Sequence, residues 1–162
     1  MSSEFIIREI EKHDIKAVAR IIKDTLTEFG AVGAGYSIND EEIDDMFEAY
    51  AKERAVYYVI VKQDKIYGCG GLAQLDGASD DICELRKMYF LESLRGLGYG
   101  QKLLDLILEK AREFNYKRCY LETLERMEIA NKLYKKNGFE RLKANEGNTG
   151  HSSCDAYYVK QL

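Results

Sequence analysis

One segment of the chain, residues 82–115, limits its possible folds more than any other. A predicted strand at Ile82 to Phe90 leads to a turn with three glycines, "RGLGYG", and the turn leads directly into a predicted helix that ends near Asn115. The helix is predicted because apolar residues recur at helical spacing, at Leu104, Ile107, Leu108, Ala111 and Phe114. The short strand "RCYLET" follows. A strand, a helix and a second strand in this order indicate an α/β fold around a sheet.

Predicted elements on both sides extend this sheet. Upstream, hydrophobic periodicity predicts a strand at 5–10, a helix from about Ile15, a second helix that begins at a capping box of Asn39 and Glu42, and a hairpin of "AVYYVIV" and "IYGCGGLAQL". Downstream, a helix at about 125–137 precedes the strands "FERLKA" and "AYYVKQL". The predicted fold class is α/β with a mixed sheet, in the order β-α-α-β-β-β-α-β-α-β-β.

Size, charge and cysteine content exclude several classes of protein. The 162 residues are expected to form one domain, residues 1–162. A net charge of −4 and a pI near 5.4 argue against nucleic-acid and membrane-surface partners. No run approaches the roughly 18 apolar residues of a membrane-spanning helix, so a soluble, cytoplasmic protein is expected. Four widely spaced cysteines are predicted to be buried free thiols, and with only two histidines no metal site is predicted; the cysteines are Cys69, Cys83, Cys119 and Cys154.

The glycine turn has the features of an anion site. Its three glycines expose backbone N–H groups where the following helix begins, and the helix dipole is positive there. Arg95 precedes the glycines and Lys102 follows them, so cations reinforce the fixed dipoles. A phosphate or pyrophosphate is the expected ligand. An ordinary tight turn between a strand and a helix is the alternative.

Two nucleotide-binding motifs fit this turn poorly. "GLGYGQK" has neither the spacing nor the Ser or Thr of a P-loop. The dinucleotide-binding motif GxGxxG is a closer match, because Glu122 follows at about the expected distance. However, the glycines alternate as GxGxG and the chain has only one βαβ unit. An NAD-dependent oxidoreductase therefore remains a remote alternative.

Two motifs together resemble the GNAT superfamily of N-acetyltransferases. Arg95, Gly98 and Gly100 fit the family's acetyl-CoA-binding turn, R/Q-x-x-G-x-G/A, and "ANKLYKKNGF" fits the downstream helix that ends in LYxxxGF. The resemblance implies a GNAT-like acyltransferase fold and acetyl-CoA as co-substrate, and a homodimer is typical of the family. One departure is Met127, which stands where many members have a cofactor-contacting Asn.

The resemblance also implies which residues bind acetyl-CoA. Backbone groups of Met88, Tyr89 and Phe90 would pair with the pantetheine arm, in a cleft where the strands containing Met88 and Leu121 part. The pyrophosphate would be held at the turn by Arg95, Gly96, Leu97, Gly98, Tyr99, Gly100 and Gln101. Lys102, Lys135 and Lys136 are candidates for the outer phosphates, although exposed lysines are mostly solvated.

Acetyl transfer to an amine requires a base and an acid, and the resemblance suggests one residue for each. Glu84, on the strand before the turn, would accept the amine proton, and its alternative role is an ion pair with Arg86 or Lys87. Tyr134 would protonate the departing CoA thiolate, and its alternative role is core packing.

The acetyl acceptor is the least constrained part of the site. By analogy with the family, Tyr36, His151 and Asp155 are candidate acceptor contacts, although a histidine in a polar loop usually faces solvent. The acceptor is expected to be a primary amine on a small molecule or amino acid. A protein N-terminus or lysine is the second choice, and a non-catalytic acetyl-CoA-binding sensor or assembly module is the alternative from another class.

Overall fold

The strands and helices follow one another along the chain in the predicted order. The computed structural model describes residues 4–162. Over this range the elements are β1 (Ile6–Glu9), α1 (Ile15–Glu28), α2 (Met46–Ala49), β2 (Val56–Lys62), β3 (Lys65–Gln74), β4 (Ile82–Phe90), α3 (Tyr99–Glu113), β5 (Arg118–Thr123), α4 (Glu128–Lys136), β6 (Glu140–Leu142) and β7 (Ala156–Gln161). The α/β fold with a mixed sheet is therefore confirmed.

The strands form one sheet in the order β1-β2-β3-β4-β5-β7-β6. Neighbouring strands are antiparallel except β4 and β5, which α3 connects as a parallel pair. Within residues 4–162 this is the only parallel pair, whereas a dinucleotide-binding fold is built from two βαβαβ halves. The sheet topology therefore gives no support to the NAD-dependent alternative.

Apolar residues cover both faces of the sheet. Successive residues of a strand point to opposite faces. Accordingly, Tyr57 and Val59 of β2 pack in one cluster with α1, whereas Tyr58 and Ile60 pack in the other cluster with α3. The sheet is thus the middle layer of three, and helices lie on both sides of it.

All four cysteines are free thiols, but they differ in burial. Three are buried, as predicted, namely Cys69, Cys83 and Cys119, whereas Cys154 is only partly buried. No helix between residues 4 and 162 is both long enough and apolar enough to cross a lipid bilayer.

The second helix differs from its prediction. Asn39 and Glu42 do not form a capping box, because the Asn39 amide donates to the Gly33 carbonyl and the Glu42 carboxylate accepts from the Tyr50 hydroxyl. Residues 41–45 instead form a 3₁₀ turn. The α-helix begins only at Met46, where Asp45 caps it by accepting from the backbone N–H of Glu48 at 3.0 Å.

The parallel strands β4 and β5 part soon after they meet. Their pairing comprises three residue pairs and ends at Glu84 and Tyr120. Beyond this point, the edge of β4 that faces β5, residues 85–90, has no strand partner in the described part of the chain. This parting produces the predicted cleft between the strands of Met88 and Leu121.

A β-bulge lies in β4 beside this gap. Two residues, Lys87 and Met88, lie opposite Gly70 alone, and Lys87 has a φ of 47°. A Cβ atom at Gly70 would lie 2.8 Å from Met88 Cγ, so glycine at this position allows the two strands to approach. The bulge changes the direction of the β4 side chains where they enter the gap.

Candidate active site

Two cavities adjoin in the gap between β4 and β5. The larger cavity, of about 310 Å³, extends from the glycine turn at Gly96 and Gly100 to Tyr134 on α4. The smaller cavity, of about 60 Å³, lies among Glu84, Leu121 and His151. Both are lined by Met88, Tyr89, Met127, Ala130 and Tyr134. Two molecules, one bound in each cavity, would therefore meet beside Tyr134.

The glycine turn forms one end of the larger cavity. Gly96 and Gly98 have φ values of 79° and 86°, in the left-handed region that side chains disfavour, and Gly98 is the N-cap residue of α3. The first backbone N–H groups of α3 have no partner within the helix, because the helix contains no carbonyl group four residues before them. This end of the cavity therefore offers N–H donors and the positive end of a helix dipole to an anion.

Arg95 holds the turn in place with its side chain. The guanidinium donates two hydrogen bonds to the Glu28 carboxylate of α1, at 2.7 and 2.9 Å, and a third to the Phe90 carbonyl at 3.0 Å. With these bonds formed, the Arg95 side chain connects α1 to the end of β4. The Arg95 backbone N–H donates to the Glu92 carbonyl at 3.1 Å, so Arg95 positions the turn rather than supplying its N–H donors.

The predicted cofactor contacts differ in position. Six of them line the larger cavity, namely Met88, Tyr89, Phe90, Arg95, Gly96 and Gly100. The others do not line it, and they are Leu97, Gly98, Tyr99, Gln101, Lys102 and Lys136. The Gln101 amide is bonded to Asn137 and Asp105, and the Tyr99 ring packs on Phe5. Lys102, Lys135 and Lys136 are exposed.

Tyr134 lies where the two cavities adjoin. Its side chain is only 5% exposed, and its ring packs against those of Phe139 and Tyr158. No hydrogen bond to its hydroxyl occurs among residues 4–162, and the hydroxyl oxygen is not fully enclosed, so it is open to a molecule bound in either cavity. Burial, with a smaller effect of Tyr89, raises the pKa of Tyr134, so the phenol is protonated at neutral pH.

Glu84 faces the smaller cavity and is also paired with Arg86. Its side chain is 5% exposed, and its Oε1 accepts from Arg86 Nε at 2.7 Å. Burial raises the pKa of Glu84, against the opposing effect of Arg86. A buried carboxylate with a raised pKa is a stronger base than an exposed one. The ion pair expected as an alternative is present, and it does not remove the carboxylate from the cavity.

His151 is half-buried between two carboxylates rather than exposed in its loop. Its Nε2 lies 2.8 Å from Asp40 Oδ2, and its Nδ1 lies 3.5 Å from Glu122 Oε1. Burial opposes the charged form, but the hydrogen bonds to Asp40 and Glu122 outweigh burial and raise the pKa of His151 to about 9. The imidazole is therefore a cation at neutral pH and is not available as a base.

This ion pair predicts how stability depends on pH. Because the folded-state pKa is above the ordinary value, the stabilisation is complete below about pH 6.5 and is lost as the pH rises through about 9, and it amounts to at most about 3 kcal/mol. His151→Gln should therefore reduce the decline in unfolding free energy over this range, measured by urea denaturation. His13→Gln, at the exposed histidine, should retain the decline. Equal declines in all three proteins would contradict the ion pair.

The other predicted acceptor contacts are placed differently. Tyr36 lines the smaller cavity beside Ser37. Asp155 lines neither cavity, and its carboxylate accepts from the backbone N–H of Glu125 at 2.8 Å, so its position does not favour the predicted contact. Met127 lines both cavities at the start of α4, where many family members have Asn. Asn131 is no substitute, because Tyr158 and the Leu124 and Met127 carbonyls hold its side chain.

Five charged residues at the smaller cavity were not predicted as site residues. Arg86, Lys87 and Glu122 belong to its lining, while Asp40 and Glu42 contact lining residues from outside the cavity. Only Glu122 had a usable signal, since the register of a parallel β4–β5 pair brings its strand beside Glu84. Glu122, His151 and Cys154 have potential ligand atoms within 4.8 Å of one another. The expectation that the chain holds no metal therefore stays a prediction.

Comparisons with known proteins identify the family. Residues 17–139 match the Acetyltransferase (GNAT) family. The Escherichia coli K12 protein described as uncharacterized N-acetyltransferase YjgM is 37% identical over 158 residues, which cover 97% of this chain and 95% of that protein.

Solved structures have the same fold. A GNAT-family acetyltransferase from Staphylococcus aureus Mu50 matches with a TM-score of 0.85 and 22% identity, over 98% of this chain and 99% of that one. The structure of yncA from Salmonella typhimurium with its cofactor acetyl-CoA matches with a TM-score of 0.79 and 18% identity, over 99% and 95%. Since the family match covers most of the chain and a relative above 30% identity covers nearly all of it, this chain belongs to the GNAT family of N-acetyltransferases.

Proposed function

We propose that this enzyme transfers the acetyl group of acetyl-CoA to a primary amine of a small molecule, by direct attack when both are bound. The observation that carries the proposal is the position of Tyr134, a buried residue whose unpartnered hydroxyl is open to the cavities where they adjoin. One cavity would hold the thioester arm and the other the amine. Tyr134 would then lie beside the thioester sulfur.

The larger cavity suits the pantetheine arm and pyrophosphate of acetyl-CoA. Its volume of about 310 Å³ is within the range of small-molecule sites. Its wall includes the edge of β4 that has no strand partner, where backbone groups of Met88 to Phe90 would pair with the amides of the arm. The pyrophosphate would then reach the N–H groups of the turn between Arg95 and Gly100. The neighbour yncA, solved with acetyl-CoA, supports this choice of cofactor.

The acceptor must lose a proton before it can attack. An amine with a pKa near 10.4 is neutral in about one molecule in 2,500 at pH 7, which corresponds to roughly 4.6 kcal/mol. Glu84 is the proposed base, acting directly or through a water molecule, since it faces the smaller cavity and burial raises the pKa of its carboxyl group.

Transfer then proceeds through a tetrahedral intermediate. The amine nitrogen forms a bond to the thioester carbon, and a backbone N–H near Met88 would stabilise the negative carbonyl oxygen. The carbon–sulfur bond breaks as the intermediate collapses, and Tyr134 donates its proton to the departing sulfur. The nitrogen, which still carries one proton more than an amide, loses that proton, and this restores the Tyr134 phenol. The products are an amide and CoA thiol, and the amine proton held by Glu84 returns to solvent.

Binding and turnover can test this function separately. Calorimetric titration should show that acetyl-CoA binds and NAD does not, and a panel of primary amines should then release free CoA thiol. Failure to bind acetyl-CoA would contradict the proposed function. Binding without turnover of any amine, including peptide N-termini and lysines, would favour the non-catalytic alternative.

Glu84→Gln should lower turnover about 100-fold at neutral pH, within the usual range for loss of a general base. The deficit should shrink as the pH approaches the amine pKa, because more of the acceptor is then already neutral. The pH profile of kcat for both proteins measures this. A deficit that stays constant with pH would indicate that the Glu84–Arg86 ion pair acts only structurally.

A further inference from the structure

The smaller cavity is surrounded by a network of charged side chains. Arg86 and Lys87, consecutive residues of β4, line the cavity, and so does His151 from the loop before β7. Asp40 and Glu42 reach the network from the segment before α2, while Glu84 and Glu122 belong to β4 and β5. The acidic segment at residues 40–45 thus contributes to this site rather than only to a solvated surface.

Every cation of this network is already paired with a carboxylate. Lys87 Nζ lies 2.8 Å from Asp40 and 3.0 Å from Glu42. Arg86 Nε lies 2.7 Å from Glu84. His151 lies between Asp40 and Glu122. A carboxylate on a bound acceptor would therefore have to displace one of these carboxylates to obtain a cationic partner.

The network also contains more anions than cations. With Glu84 ionised, as a base must be, four carboxylates face three cations; the carboxylates are Asp40, Glu42, Glu84 and Glu122, and the cations are Arg86, Lys87 and His151. The excess is one negative charge when His151 is protonated and two when it is neutral. The sign is the same in both states. An acceptor with a second positive charge would offset this excess, and burial strengthens that interaction.

The cavity limits the shape of the acceptor as well. About 60 Å³ is room for on the order of five water-sized atoms, which suits a short unbranched chain with an amino group at its end. Where this cavity adjoins the larger one, the unpartnered Tyr134 hydroxyl is available to hydrogen-bond a bound molecule.

We propose that the acceptor is a short diamine rather than an amino acid. One amino group would be acetylated beside Glu84 and Tyr134. The second would remain an ammonium and would interact with Glu122 in the lining, where the excess negative charge of the network, including Asp40 outside the lining, would stabilise it. This inference rests on the proposed function and specifies its substrate class.

Three amines with four carbon atoms each test the charge preference directly. Butylamine, 1,4-diaminobutane and 4-aminobutanoate have a neutral, a cationic and an anionic distal end, respectively. After correction for its two reactive ends, the diamine should have a kcat/KM at least about tenfold above that of butylamine, and 4-aminobutanoate should be about tenfold below it. The preference for the diamine should weaken as salt is added. A kcat/KM for 4-aminobutanoate equal to or above that of the diamine would overturn the proposal.

A matched pair of variants assigns the preference to the network. Asp40→Asn removes one carboxylate that contacts both Lys87 and His151, and it should lower the ratio of kcat/KM for the diamine to that for butylamine about tenfold. Glu41→Gln removes the neighbouring exposed charge and should leave the ratio unchanged. If Asp40→Asn lowers kcat/KM for both amines by the same factor, Asp40 is merely structural and the proposal fails.

Failure of this inference differs from failure of the proposed function. If none of the three amines is acetylated while another primary amine releases CoA thiol, the substrate class is wrong and the acetyltransferase assignment stands. If acetyl-CoA does not bind in the calorimetric titration, both fail.

Discussion

Tyr134→Phe should lower turnover about 100-fold, while the dissociation constant for acetyl-CoA should change by no more than about twofold. The variant loses only the phenolic oxygen, and no described residue donates to that oxygen or accepts from it. The contacts of the ring with Phe139 and Tyr158 are retained. Unlike most deletions of a buried polar group, this change leaves no unpaired partner behind, so folding should be unaffected.

The large effect on turnover follows from the leaving group. A CoA thiolate that departs into a buried cavity loses the solvation it would have in water, so expulsion of the charged form is costly. The Tyr134 hydroxyl can neutralise the sulfur as the bond breaks, because burial raises the pKa of Tyr134 and keeps the donor protonated. Without the hydroxyl, the thiolate must leave unprotonated or wait for a proton from water.

A control variant and two separate measurements distinguish the possible roles of Tyr134. Tyr67→Phe removes a hydroxyl outside both cavities and should retain full turnover. Single-turnover measurement of thiol release reports the chemical step, and calorimetry reports cofactor affinity. Unchanged turnover in Tyr134→Phe would remove Tyr134 from the mechanism. A loss of acetyl-CoA affinity as large as the loss of turnover would make Tyr134 a binding residue instead.

The parts of the site built from local sequence could be predicted. The bounds of β4 match their prediction, because the strand ends where the glycine turn begins. Gly98 caps α3 with a φ of 86°, a conformation that its residue type and position suggest. Tyr134 faces the cavities because a helix of period 3.6 places it on the same side as Ala130.

The charged network could not be predicted, since its contacts join distant parts of the chain. Asp40 and His151 are 111 positions apart, and Asp40 and Lys87 are 47 positions apart. Nothing in the local sequence around His151 indicates that two carboxylates will surround it. The same long-range contacts explain the failed capping box, because Glu42 contacts Lys87 and Tyr50 rather than the helix start.

The bulge at Lys87 could not be predicted from the sequence either. Its positive φ is unusual for a residue other than glycine, and it depends on the close approach allowed by Gly70 in the neighbouring strand. Hydrophobic periodicity predicts that β4 is a strand but carries no information about an extra residue within it. The positions of Arg86 and Lys87 at the smaller cavity therefore became visible only in the structure.

Gly100→Leu should weaken acetyl-CoA binding at least about tenfold without unfolding the protein. Gly100 is the second residue of α3, and a Cβ there would meet Leu133 at 3.5 Å and Phe90 at 3.8 Å, which are ordinary contacts. The family motif accepts alanine at this position, so the test needs a side chain longer than one methyl group. Leucine is a good helix former, and its side chain would extend into the larger cavity, where the proposed pyrophosphate approaches the N–H groups of the helix.

Gly98→Ala provides the contrast that makes this result interpretable. A Cβ at Gly98 would meet nothing within 4 Å, but its φ of 86° makes any side chain strained by about 1–2 kcal/mol. Gly98→Ala should therefore lose both stability and affinity, whereas Gly100→Leu loses affinity alone. Thermal unfolding and calorimetric titration of both variants measure the two effects independently. If Gly100→Leu binds acetyl-CoA as tightly as the native chain, the glycine turn does not hold the pyrophosphate, because a bulky group placed between the N–H donors and the phosphate oxygens must weaken their hydrogen bonds.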